Sequence, residues 1–170
     1  MMPPAASQDP GPAANAAAFV TGLQDEKAAL VAFTRLLQAE EDALVKGNAD
    51  RLSDLAAEKA AQLELLTHLG EVRNRHLAAQ NLKASAEGML GWLARNPGFA
   101  AAVKKLWQDL LAHAEKARQI NQSVGLLIES GMRQNRLKLS VLQSAASADG
   151  VYRPDGQLRP LRSARPLSQV

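Results

Sequence analysis

Between Pro97 and about Ala146 the chain has no proline, and the next one is Pro154. Apolar residues recur there at Val103, Leu106, Leu110, Ala117, Ile120, Val124 and Leu127. Steps of three, four and seven residues put these side chains on one stripe of an α-helix, as in a coiled-coil seam. At ~1.5 Å per residue such a helix runs ~70 Å, more than a small bundle needs. Asn96-Pro97 reads as its start, with Asn as N-cap and proline at the first helical position, where a missing N–H costs nothing. Whatever else the chain contains must pack along this rod or leave part of it bare.

The preceding sequence supplies two helices of the same kind. Leu23, Leu30, Leu37 and Leu44 fall on one line at seven-residue spacing, joined by Phe19 and Phe33. Gly47-Asn48 reads as a helix C-terminus and Asp50 as the cap of a second helix bearing Leu52, Leu55, Leu63, Leu66 and Leu69. The short joint makes the two an antiparallel hairpin of helices ~45 Å long. Ser85, with Glu87 in the first turn, opens a short helix carrying Met89, Leu90, Trp92 and Leu93. The expected fold class is therefore all-α: an elongated antiparallel helical hairpin or coiled-coil bundle, with one short helix and a long C-terminal helix. The expected organisation is a Pro/Ala-rich disordered leader over 1–15, helices over about 16–46, 51–79, 86–95 and 97–146, and a flexible tail over 147–170 containing turn sequences.

Alanine and leucine abound and aromatics make up only 4% of the chain, which favours helix over sheet. No cysteine is present, so disulfides, thiolate metal sites and cysteine nucleophiles are excluded. The N-terminal MMPPAASQDPGPAAN lacks the basic and apolar segments of a signal peptide, and no apolar run approaches the ~18 residues of a membrane span. Net charge is only +3, but residues 17–71 hold five Lys/Arg against ten Asp/Glu, whereas 72–146 hold eleven against four. Halves of opposite sign can complement one another where helices pack antiparallel.

Catalytic patterns are missing. His68, His76 and His113 are scattered, with no carboxylate at metal spacing. Asp54 and Glu58 lie four apart on a helix face beside Lys59 and read as a solvated face, as does the acidic run Glu40, Glu41 and Asp42. Nucleophile elbows, phosphate-binding loops and dinucleotide fingerprints do not occur. Arg153, Arg159, Arg162 and Arg165 make the tail basic, but Asp149 and Asp155 interrupt it and Tyr152 is its one aromatic, so a solvating tail is expected rather than a nucleic-acid site. No cofactor or metal is expected, and the chain reads as a binding module, not an enzyme.

Length points to the binding surface. The long helix exceeds each hairpin helix by ~25 Å, and its distal part still carries Leu126, Leu127, Ile128, Leu137, Leu139, Val141 and Leu142. An apolar stripe without an intramolecular partner marks an interaction surface. Leu126, Leu127, Ile128, Leu137, Val141 and Leu142 are the expected contacts for a partner helix. Gly125 and Gly131 each cost ~1 kcal/mol against alanine inside a helix, so they are expected to serve close helix approach or a bend.

Three local patterns resemble the FlgN family of flagellar export chaperones. They are Leu36-Leu37-Gln38-Ala39-Glu40-Glu41-Asp42-Ala43-Leu44 with Gly47-Asn48-Ala49-Asp50 and Leu52 to Lys59; Asn121-Gln122-Ser123-Val124-Gly125-Leu126-Leu127-Ile128, similar to the family's Asn-x-x-Asn-Gly-x-Leu-Ile; and Val151-Tyr152-Arg153-Pro154-Asp155-Gly156-Gln157, similar to its Tyr-x-x-x-Gly-Gln ending. The resemblance spans about residues 20 to 157. Val124 stands where the family pattern has its second Asn; at a seam position an apolar residue favours packing, and the Asn's hydrogen bonds do not carry over. The resemblance implies a cytoplasmic chaperone of the flagellar type III secretion apparatus. Its implied clients are the hook–filament junction proteins (FlgK-like and FlgL-like), and its implied docking partner is the export gate protein FlhA, with Tyr152 as the gate contact. A structural coiled-coil subunit that oligomerises through the same seam is the alternative, and a homo-oligomer is compatible with either.

Overall fold

The computed structural model describes residues 11–148, with side chains through residue 145. Four helices follow in order: α1 (Pro12–Lys46), α2 (Ala49–Ala79), α3 (Ala86–Arg95) and α4 (Ala100–Ala148), with no strand among the described residues. The all-α class is as the heptad spacing requires. The described chain falls into two units, one ending at Leu127 and the other beginning at Ile128.

Helix ends show where local chemistry was read well and where it was not. Gly47 adopts a left-handed φ of 67°, and the amides of Gly47 and Asn48 close onto the carbonyls of Leu44 and Ala43. This is the glycine-ended terminus that the sequence predicts. Asn48, rather than Asp50, caps α2: its side chain accepts from the Arg51 amide at 3.2 Å, which leaves Asp50 in the first turn. Ser85 caps α3 by accepting from the Gly88 amide. α1 starts at Pro12, so residues 12–15, read from sequence as leader, are helical; proline at the first position presets φ and the alanines that follow propagate the helix.

Asn96-Pro97 is an end, not a beginning. The Asn96 amide bonds the carbonyls of Trp92 and Leu93, and its Nδ2 donates to the Trp92 carbonyl at 2.9 Å, closing α3. Proline disfavours helical ψ at the residue before it, and Asn96 has ψ 63°. Pro97 to Phe99 form a turn, and α4 begins at Ala100.

The core is a seam of seven-residue rows. Ala16, Leu23, Leu30 and Leu37 form one row of α1, and Val103, Leu110, Ala117 and Val124 one row of α4; all eight are buried. Each large side chain in these rows contributes about 1.5–3 kcal/mol by leaving water. Trp92 and Met89 bring α3 onto the same core, and Trp92 is fully buried. α2 contributes less than its leucines suggest: Leu55 and Leu77 are buried, but Leu63 is 45% exposed. Its seam row instead runs Leu55, Lys59, Gln62, Leu66, Leu69, Arg73 and His76, so four of the seven are polar.

Cross-helix contacts fix the directions. Lys59 of α2 meets Glu40 of α1 at 2.7 Å, and Arg73 meets Glu26 at 2.5 Å, so these helices run antiparallel. Lys27 pairs with Asp109 at 2.6 Å and Glu41 accepts from Ser123, so α4 runs parallel to α1. Glu40 and Glu41 are thus half-buried contact residues rather than a solvated run. Two acids of α1, Glu26 and Glu40, are thus paired with Arg73 and Lys59 of α2.

Candidate functional site

Two polar layers cross the bundle. In the first, the Arg73 guanidinium holds Glu26 and lies 5.3 Å from the centre of the Trp107 ring, a cation–π distance. In the second, the Lys59 ammonium reaches Glu40 and also Asn121 at 3.2 Å. The two layers are 14 residues apart on all three helices: 26 to 40, 59 to 73 and 107 to 121. Glu26 occupies a seam position where an apolar residue is expected and is 7% exposed. Burial pushes its carboxyl above the usual range, against the pull of Arg73, and Oε2 has no hydrogen-bond partner among the described residues. Sequence reasoning missed this layer because Glu26 follows Asp25 in what looks like an ordinary acidic turn. The signal was its place midway between Phe19 and Phe33, seven residues from each.

His76 is likewise structural. Its ring stacks on Phe19 with centres 4.3 Å apart, and its Nε2 accepts from the Trp92 indole at 3.2 Å. An indole N–H only donates, so this nitrogen is unprotonated, and burial lowers the His76 pKa in the same sense. No group of three metal-ligating side chains occurs among the described residues. A cavity of about 130 Å³ beside Phe19, Leu23 and Val72 is below the size of small-molecule sites.

The expected partner-binding residues all belong to α4. Leu126 is 68% exposed and Leu127 half-buried. In the second unit Ile128, Leu137, Val141 and Leu142 are exposed, and so is every residue from 131 to 145. They do not form one stripe. With 3.6 residues per turn, Leu137 and Val141 lie on average roughly 140° around the helix from Ile128 and Leu142. Met132 and Leu139, also exposed, share the Ile128–Leu142 side and complete it. Val124 is buried, consistent with its reading as a packing residue.

Gly125 and Gly131 make no close approach among the described residues, since a Cβ on either would meet nothing there within 4 Å. The tight glycine is Gly88, where a Cβ would stand 1.8 Å from the Lys83 carbonyl oxygen. It lets the first turn of α3 fold against the preceding loop. Tyr152 lies outside the described residues.

A family model described as FlgN protein matches residues 15–160, most of the chain. The chain belongs to the FlgN family. No curated protein and no solved structure gives a significant match. The FlgN family is one of flagellar export chaperones, a binding rather than a catalytic role, and the four-helix architecture with an exposed distal α4 suits it. No helix among the described residues is long and apolar enough to cross a membrane.

Proposed function

We propose that this FlgN-family chain is a cytoplasmic export chaperone that binds the terminal amphipathic helices of hook–filament junction proteins, FlgK-like and FlgL-like, and delivers them to the export gate protein FlhA. The observation that carries this reading is the exposure of Ile128, Met132, Leu137, Leu139, Val141 and Leu142 on one helix. Scattered surface leucines need no explanation, but six within 15 residues do. Coating a client's apolar stripe with such a helix requires no nucleotide or metal, only complementary heptad contacts. Release follows when a further partner shifts the equilibrium. Tyr152 is assigned to the gate contact, and Gly125 and Gly131 to the client side of α4, where each leaves room for an approaching helix.

The test is co-purification of the chain with C-terminal fragments of junction proteins. Removing residues from Ser130 onward is expected to abolish client binding while mean helicity per residue by circular dichroism changes little. Wholesale loss of helicity would show that the stripe is core. Tyr152→Ala is expected to keep clients and lose the gate; normal gate binding would remove that assignment.

A further inference from the structure

The buried row of α4 keeps seven-residue steps through Val103, Leu110, Ala117 and Val124. The same step next reaches Gly131 and Lys138, which cannot continue an apolar seam. The apolar residues change phase instead. Ile120, Val124 and Ile128 follow by two successive steps of four, the spacing of a stutter in a heptad pattern. From there Ile128, Met132, Asn135, Leu139 and Leu142 run four, three, four and three, a heptad seam of its own. All five are exposed.

Two features of this second seam define its occupant. Asn135 sits in its middle, and a polar residue at a coiled-coil seam selects a partner with a polar group opposite, at a cost in affinity. The positions flanking the seam carry Glu129, Arg136 and Lys138. Glu129 is taken by Arg133 at 3.5 Å, whereas Arg136 and Lys138 have no ion pair among the described residues. We infer that the 128–142 seam selects an amphipathic helix with acidic flanks and one polar residue placed opposite Asn135. The inference rests on the chaperone reading and gives it a rule for choosing partners. A second copy of the chain is the poorer occupant, because its own seam would offer Arg136 and Lys138 the same basic flanks, with the one flanking acid already engaged.

The test uses the full chain and four-heptad helical peptides with one Asn in a leucine seam and either Glu or Lys at the flanks. Binding by fluorescence anisotropy is expected to favour the Glu peptide by about tenfold at low salt, with the gap closing to about threefold or less at high salt. The double variant Arg136→Glu/Lys138→Glu should reverse the preference, with unchanged circular dichroism because both positions are exposed. Asn135→Leu should erase the preference for the Asn peptide over an all-leucine one. Equal affinity for the Glu and Lys peptides would overturn the inference, as would self-association of the chain that Ile128→Asp and Leu139→Asp abolish. Junction-protein helices that bind the chain and the Glu double variant equally well would overturn it while the chaperone reading stands. Selective binding of the Glu peptide without any binding of junction-protein helices would overturn the chaperone reading and support the charge rule.

Discussion

Arg73 and Glu26 meet at 2.5 Å midway between the Phe19 and Phe33 levels of the α1 seam, with 19% and 9% of their side chains exposed. A pair this secluded is costly to break from one side, because the survivor keeps its desolvation without its partner. Arg73→Ala is expected to destabilise the bundle by about 2–4 kcal/mol in urea unfolding, the lower part of that range reflecting the exposed edge of the guanidinium. The double replacement Glu26→Leu/Arg73→Leu should recover most of the loss. A double variant no better than the single one would show that Arg73 acts through Trp107 rather than through the carboxylate.

His76 makes stability depend on pH with a definite sign. Its folded-state pKa lies below the ordinary 6.5, so unfolding takes up a proton and acid favours the unfolded chain. The stability it contributes is present above pH ~6.5 and is lost as pH falls from there through the lower, folded value. Glu26, raised from 4.5, works in the opposite direction: its contribution is greatest in acid and is lost as pH rises through its folded value. The His76 effect is therefore read as a difference. The stability gap between the wild type and His76→Phe should shrink as pH falls from 7.5 towards 5.5, and a gap independent of pH would remove His76 as its source.

Two glycines should respond oppositely to the same added methyl. Gly88→Ala puts a Cβ into the Lys83 carbonyl, so backbone must move, at a cost of about 2 kcal/mol in the range for overpacked sites. Gly125→Ala meets open space and should stabilise α4 by up to ~1 kcal/mol. Thermal melts of the two variants decide this directly. Gly125→Leu should then bind client fragments less tightly than wild type, since the assigned room for a client helix is filled.

Trp92 anchors α3 by packing and by one hydrogen bond, and the two contributions can be separated. Trp92→Phe keeps most of the ring volume and removes one of two donors to His76 Nε2, the Gln80 side-chain amide remaining at 2.9 Å, at an expected cost of about 0.5–1.5 kcal/mol. Trp92→Ala should cost about 3–5 kcal/mol. Equal losses would mean that the hydrogen bond outweighs the packing.

The helices and most of the α1 and α4 seams were legible because a seven-residue period survives in the letters: Leu23, Leu30, Leu37 and Val103, Leu110, Ala117, Val124. α2 was misjudged for a physical reason. Its leucines at 63 and 65 face water while Lys59, Gln62 and Arg73 occupy the seam, an inversion that a hydrophobic count cannot register. Asn96-Pro97 misled because Asn serves either end of a helix, and only the arriving amide bonds distinguish a close from a start. The exposed apolar stretch of α4 was legible as a helix but not as two sides of one. Counting apolar residues located it; only their angular positions separate Leu137 and Val141 from Ile128 and Leu142.

The 14-residue separation of the polar layers restricts how the length of this molecule can change. Excising one heptad from a single helix would keep apolar rows facing one another yet strand a lysine or arginine away from its acid. Excising one heptad from α1, α2 and α4 together, at the same level, would keep both layers closed. Shorter or longer versions of this bundle should therefore differ by whole slices through three helices, and never by a change to one strand of the chain alone.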